Sequence, residues 1–130
     1  MIKVNKLFKC DGCKGIAEII GSNENKNTGM LSCCGKPMSE LKENTNPEVS
    51  EKHIPVIEKL ENGIKIKIGA KEHPSIPEHY IEWIEVITEN NIYRKNLKPG
   101  DKPEAVFDIK ENNYTVRAYC NIHGLWRLDV

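Results

Sequence analysis

The chain carries no net charge, because its 130 residues include nineteen Lys and Arg against nineteen Asp and Glu. That balance excludes a protein that works by presenting a strongly basic field to nucleic acid or to an anionic membrane. No apolar run approaches the roughly 18 residues needed to span a bilayer. Met1 to Phe8 mixes lysines with single apolar residues and lacks the apolar core of a secretory signal. The expectation is therefore a soluble, cytoplasmic protein with neither a nucleic-acid nor a membrane partner. No helix-period segment of useful length, no internal repeat and no low-complexity tract is present. A complete set of disulfides is also excluded, since the cysteines number five.

What the chain does have is cysteine and histidine. Cys10, Cys13, Cys33 and Cys34 fall in the first 34 residues as C-x2-C, a gap of nineteen residues, then C-C. In a reducing compartment structural disulfides rarely persist. Two close ligand pairs separated by a loop form the pattern of a tetrathiolate metal site. A segment of roughly 40 residues buries too little apolar surface to fold alone, and a metal cross-link can supply the difference. A redox dithiol at Cys10 and Cys13 is the main alternative, but it leaves Cys33 and Cys34 without a role. The spacing does not separate zinc from iron, since both accept four thiolates.

Residues 1–41 read as short strands around that site, over Lys3 to Lys9, Gly15 to Ile20 and Met30 to Cys34. Gly12, Gly15, Gly21, Gly29 and Gly35 mark turns, several beside ligands. Residues 42–50 are polar, contain Pro47 and show no periodicity, so they read as a linker. Residues 51–130 read as all-β. Val56 to Leu60 and Ile64 to Ile68 flank Glu61-Asn62-Gly63, a strong hairpin signal. Ile64, Ile66 and Ile68 alternate with Lys65 and Lys67, which predicts one buried and one wet face. Tyr80 to Thr88 is a longer strand whose alternation Glu85 breaks, and Asn90-Asn91 turns it into Ile92 to Leu97. Lys98 to Asp101 is a turn. Ala105 to Lys110 and Tyr114 to Tyr119 read as a further hairpin, and Trp126 to Val130 as a last strand. About seven short strands at this spacing suggest a β-sandwich.

The four histidines and the fifth cysteine all lie in this second part: His53, His73, His79, Cys120 and His123. Each sits in a predicted loop or at a strand end, where a sandwich can gather side chains around a metal. Structural zinc closes at four ligands and does not suit five. Imidazoles with one thiolate suit iron or copper. Cys120-x2-His123 resembles a blue-copper loop, but no methionine follows His123, and two histidines would remain spare.

Longer stretches carry a more specific resemblance. Cys10-x2-Cys13 and Cys33-Cys34, followed by Gly35-Lys36-Pro37-Met38, resemble desulforedoxin. Glu51-Lys52-His53-Ile54-Pro55-Val56-Ile57-Glu58, His73-Pro74, His79 to Glu85, Leu97 to Pro103 and Cys120-Asn121-x-His123-Gly124 resemble neelaredoxin. Together the chain resembles the desulfoferrodoxins, the two-iron form of superoxide reductase, over nearly its whole length. Ser75 departs from the methionine common after the His-Pro pair, at a position that is not a ligand.

The resemblance implies an all-β fold. It consists of a small desulforedoxin-like metal-bound β domain (1–41), a linker (42–50) and an immunoglobulin-like β-sandwich (51–130). It implies two iron ions per chain. One is a rubredoxin-like tetrathiolate iron on Cys10, Cys13, Cys33 and Cys34, where adjacent cysteines force a distorted tetrahedron. The other is a catalytic iron with His53, His73, His79 and His123 equatorial, Cys120 axial and the sixth position open. The implied reaction is one-electron reduction of superoxide to hydrogen peroxide. Lys52 would attract the anion, and Glu51 would occupy the open position of oxidised iron. Because neighbours in an extended chain point opposite ways, Glu51-Lys52 is expected to act as a lid that presents one side chain or the other. Rubredoxin is the implied electron donor, and a homodimer the implied assembly. The competing readings are a non-enzymatic iron electron carrier with both centres saturated, and a zinc-ribbon interaction module.

Overall fold

A computed structural model of the chain describes residues 2–21, 31–45 and 52–130. Among the described residues there is no helix, and so none long and apolar enough to cross a membrane. The chain divides into two compact units, residues 3–42 and residues 43–130 with Ile2.

The smaller unit is built from very short strands. β1 (Leu7–Lys9) is flanked by β2 (Ile16–Glu18) and β5 (Ser39–Glu40), both antiparallel to it. β3 (Ser32–Cys33) and β4 (Lys36–Pro37) make a separate two-stranded hairpin. The strands are shorter than the sequence pattern predicts, and β4 and β5 fall where it predicts none. Met30 lies outside the described residues. The physical reason is a shortage of apolar surface: among the described residues of this unit only Leu7, Phe8 and Cys10 are fully buried.

The larger unit is a sandwich. Its first strand is β6 (Glu43–Asn44), followed by β7 (Pro55–Leu60), β8 (Gly63–Ile68), β9 (Ile81–Ile87), β10 (Ile92–Asn96), β11 (Glu104–Phe107), β12 (Thr115–Cys120) and β13 (Gly124–Asp129). One sheet has the order β10-β9-β12-β13-β6, and the other β11-β8-β7. Their inner faces share one core. Ile64, Ile66, Ile68, Ala105 and Phe107 come from the smaller sheet, and Ile84, Val86, Val116 and Ala118 from the larger. The isoleucine alternation of β8 is observed as read. Gly63 pairs with Leu60 at the start of β8, and a Cβ there would run into the Phe107 carbonyl oxygen. The glycine therefore allows β11 to end against this turn.

Two readings change. The expected hairpin of 105–110 with 114–119 does not exist, because its two strands belong to different sheets. β11 pairs with β8, where Glu104 faces Lys67 and its carboxylate lies 3.5 Å from Lys65 Nζ. β12 is buried at all six positions and lies between β9 and β13. A strand hidden on both faces belongs in the middle of the larger sheet. The second change concerns the polar stretch 42–50. Glu43–Asn44 within it is a strand, running parallel to β13.

A charge ladder explains both that strand and the break at Glu85. Glu85 is fully buried; Arg117 Nε donates to its Oε1 at 2.6 Å, and Arg94 Nη2 to its Oε2 at 2.6 Å. Arg117 Nη1 also donates to Glu43 Oε2 at 3.2 Å, and Arg127 Nη1 to Glu43 Oε1 at 2.9 Å. Buried charges persist only when they are paired and hydrogen-bonded. Glu43 thus fastens β6 to two strands more than seventy residues away.

Candidate metal centres

The four cysteines of the smaller unit converge. Cys10 follows β1, and Cys13 lies in the turn to β2. The Cys10 N–H donates to the Gly15 carbonyl, and the Lys14 N–H to the Cys10 carbonyl, both at 2.9 Å. Lys14 sits in the left-handed region at φ 66°. A Cβ at Gly12 would crowd this turn, lying 3.1 Å from Cys34 Cβ. Adjacent cysteines in a strand would point to opposite faces. Here Cys34 (φ 53°) and Gly35 (φ 74°) form the connection between β3 and β4. Positive φ at both central residues is the signature of a type I′ hairpin turn. That turn brings the Cys34 sulfur to 3.9 Å from Cys33 Sγ, which is itself 3.6 Å from Cys13 Sγ.

All four sulfurs lie within 4.8 Å of one another. A tetrahedron with metal–sulfur bonds of about 2.3 Å has edges of about 3.8 Å, so the donors present fit a tetrathiolate metal. Their electrostatics suit one. The Cys13 backbone N–H pulls the Cys10 thiol down to about 6, while hydrogen bonding to Cys10 and Cys13 pushes Cys33 up to about 12. Like charges at this spacing cannot all ionise unless a cation joins them.

The second group is assembled by the sandwich. Antiparallel register puts the start of β7 beside the end of β8, and the start of β9 beside the end of β12. His53 precedes β7, His73 and His79 lie between β8 and β9, Cys120 ends β12, and His123 lies in the turn to β13. All five consequently gather at one end of the sandwich. The ligand atoms of His53, His73, His79 and Cys120 lie within 4.8 Å of one another. His123 completes the group, with Nδ1 3.1 Å from His53 Nε2 and 3.8 Å from Cys120 Sγ.

The four imidazoles form a ring. Successive centroids are 4.8 Å (His53–His73), 4.7 Å (His73–His79), 5.0 Å (His79–His123) and 4.7 Å (His123–His53) apart. The His53–His79 distance of 6.4 Å is close to the diagonal of a square with those sides. Neighbouring rings meet edge to face, and a nitrogen of each of His53, His73 and His79 converges with Cys120 Sγ.

The protonation pattern fits a metal. His73 Nδ1 lies 2.7 Å from the Pro74 carbonyl, to which it donates, leaving the Nε2 lone pair free. Such a bond on the far nitrogen is the usual way a ligating histidine is oriented. The Nε2 atoms of His73 and His79 are buried and have no hydrogen-bond partner. Buried nitrogens without partners are costly unless something in the site accepts their lone pairs. Burial, then neighbouring imidazoles and Lys52, pushes His53 down to about 4. Burial also lowers His73 and His79, so these three rings are held neutral, as ligands must be. Burial pushes the Cys120 thiol up, and the His123 N–H lies 3.4 Å from its sulfur. Four imidazoles and one thiol exceed what a closed zinc site uses and fit iron.

His53 and His73 are buried, whereas His123 is exposed, so solvent reaches the group on the His123 side. Lys52 is exposed, and its charge acts on His53, His73 and His79. Glu51 lies outside the described residues. Two neighbours of the site carry no role in the sequence reading. Trp126 stacks on His53, with centroids 4.6 Å apart and planes 9° from parallel. Asn121 hydrogen-bonds the backbone beside His79. Asn121 was visible only as an interior residue of the Cys-x2-His motif, and nothing local marks Trp126.

The chain is similar to known proteins. The family model described as desulfoferrodoxin matches residues 45–129. A desulfoferrodoxin homologue from Archaeoglobus fulgidus is 45% identical over 98% of both chains. A desulfoferrodoxin from Nitratidesulfovibrio vulgaris is 44% identical over 95% of both. The crystal structure of the superoxide reductase from Treponema pallidum superposes with a TM-score of 0.78 at 26% identity. It covers 96% of this chain and 98% of that one.

Proposed function

The chain belongs to the desulfoferrodoxin family, and we propose that it is a superoxide reductase that acts in defence against oxidative stress. The reaction is the addition of one electron and two protons to superoxide, giving hydrogen peroxide without release of dioxygen. The observation that carries this reading is the square of four imidazoles with a buried thiol beside it. Five donors would leave room on a bound iron for one further ligand, which a saturated electron carrier would not do.

Cys10, Cys13, Cys33 and Cys34 would hold one iron, and His53, His73, His79, His123 and Cys120 the other. When bound, ferrous iron at the second group supplies the single electron. The chain's own residues do the rest. The neutral imidazoles and one Cys120 thiolate cancel only half the charge of a divalent ion, so the site stays attractive to an anion. With no net charge on the protein, steering falls to local cations, and Lys52 is the one beside His53. Protons enter from solvent on the exposed His123 side. Glu51 is assigned as the oxygen ligand of the oxidised state. The four-cysteine centre is assigned a structural role, supported by the scarcity of buried residues around it. The finer assignments are a small redox protein such as rubredoxin as electron donor, a homodimer, and a cytoplasmic location, where the five unpaired cysteines suit reducing conditions.

Product accounting tests the reading. Reduced protein given superoxide should yield one hydrogen peroxide per superoxide and no dioxygen; dioxygen release or no reaction would contradict it. Lys52→Ala should slow the superoxide reaction and flatten its dependence on salt. An unchanged rate and salt slope would remove Lys52 from the mechanism. An unchanged absorption spectrum of oxidised Glu51→Ala would remove the Glu51 ligand.

A further inference from the structure

We propose that Asn121 is a positioning residue for the second centre. Its side-chain amide grips the backbone on both sides of His79 and holds that imidazole against the turn carrying Cys120 and His123. The inference rests on the reading of this group as the catalytic metal centre.

Three hydrogen bonds carry it. The Tyr80 N–H donates to Asn121 Oδ1 at 3.0 Å, and Asn121 Nδ2 donates to the Glu78 carbonyl at 3.1 Å. The Asn121 backbone N–H donates to the Tyr80 carbonyl at 3.3 Å. Glu78 and Tyr80 are the two chain neighbours of His79, so a single amide brackets the ligand. The other bonds of His79 run to Ile76, between its N–H and the Ile76 carbonyl at 3.0 Å and between the Ile76 N–H and its own carbonyl at 3.1 Å. Those bonds close the loop upon itself without tying it to the other ligands.

The need for a side chain here follows from the sheet. The β9–β12 ladder shifts register between Tyr119 and Cys120, where the ligands leave the strands. Past the shift, backbone groups of residues 78–80 have no regular ladder to pair with, and paired backbone groups are close to obligatory. Asparagine supplies one acceptor and one donor on the same short stem. Aspartate lacks the donor, glutamine is a methylene too long, and serine cannot bracket two groups. The partners also fix which end of the amide is oxygen.

Residues that orient metal ligands typically contribute 10–100-fold to metal affinity. Iron-loaded Asn121→Leu, which keeps the branching of the side chain and loses both side-chain bonds, should release iron from the second centre to a ferrous chelator roughly tenfold to a hundredfold faster. Release from the four-cysteine centre should not change. The thiolate-to-iron absorption of the oxidised second centre should shift, because His79 is no longer held in place. Asn121→Ser, smaller and free of clashes, serves the same test should the leucine variant not fold. A variant with wild-type release and an unshifted band would overturn the proposal. So would a lowered melting midpoint with neither readout moved, since that is what a merely structural residue would give. Wild-type protein that takes up no iron at this centre would instead overturn the superoxide reductase reading, a result distinct from an unchanged variant.

Discussion

The two units relate metal to fold in opposite ways. Residues 3–42 make strands of two or three residues and fully bury, among the described residues, only Leu7, Phe8 and Cys10. Their cysteines lie on knuckles that use left-handed backbone at Lys14 and Cys34. The sandwich instead has a continuous core from two sheets and a buried charge ladder, and its donors sit in loops at one end. In the first unit a bound metal would complete the fold. In the second the fold completes the metal site. The same residue type, cysteine, is therefore placed differently: four thiols converge where the core is small, and one buried thiol joins the histidines at the end of a large core.

The comparison breaks most visibly at the metal. Structural zinc contributes on the order of 10 kcal/mol to small domains, and a tetrathiolate iron should act in the same way. Cys13→Ser should unfold residues 3–42, seen as loss of amide protection, while the sandwich keeps its melting transition and its reaction with superoxide. Protection surviving across 3–42 would show that the smaller unit holds itself together.

Within the sandwich the largest effect should come from the ladder rather than from iron. Glu85→Gln leaves Arg117, which is 1% exposed, short of its buried counter-charge. Leaving a buried charge uncompensated costs about 3–5 kcal/mol, and because Arg117 keeps Glu43 the loss should fall below that. The melting transition should fall accordingly, with the four-cysteine absorption unchanged.

A smaller effect should appear with pH. His53 binds a proton at about 4 in the folded chain against 6.5 in the unfolded one. Between those values the unfolded chain binds more protons, so the metal-free sandwich is fully stabilised above 6.5 and loses stability as pH falls toward 4. Thermal melting of metal-stripped protein across that window should show the decline. A flat profile would mean that His53 is not held neutral by burial.

The smallest change should be a gain. Lys14 occupies φ 66°, which costs a non-glycine residue about 1–2 kcal/mol. Lys14→Gly should raise the transition of the smaller unit by less than about 1 kcal/mol, since glycine loses more entropy on folding. A loss of stability would place the demand on the lysine side chain rather than on the backbone.

How far the sequence could be read follows the same division. Donor types and their grouping were legible, because spacing along the chain reports which side chains share a loop. The β7–β8 and β9–β10 hairpins were legible too, from Asn62-Gly63 and Asn90-Asn91, because hairpins are local. The parting of β11 and β12 into different sheets was not, since Asn112 and Asn113 read the same whether the chain returns beside itself or crosses over. β6 was hidden because Glu43 finds its partners only at Arg117 and Arg127. The nitrogen by which His73 binds depends on the Pro74 carbonyl, and the role of Asn121 depends on Glu78 and Tyr80. Adjacent Cys33 and Cys34 announced a constrained site, but its I′ turn needed the φ values.

The central claim is that one chain holds a saturated thiolate centre and an open imidazole–thiolate centre. Azide titration of oxidised protein of known metal content tests it most directly. The protein should hold two irons per chain, one for each donor group, with azide shifting the absorption of the imidazole–thiolate iron and leaving the tetrathiolate spectrum untouched. Zinc at both sites, or two irons that both ignore azide, would contradict it.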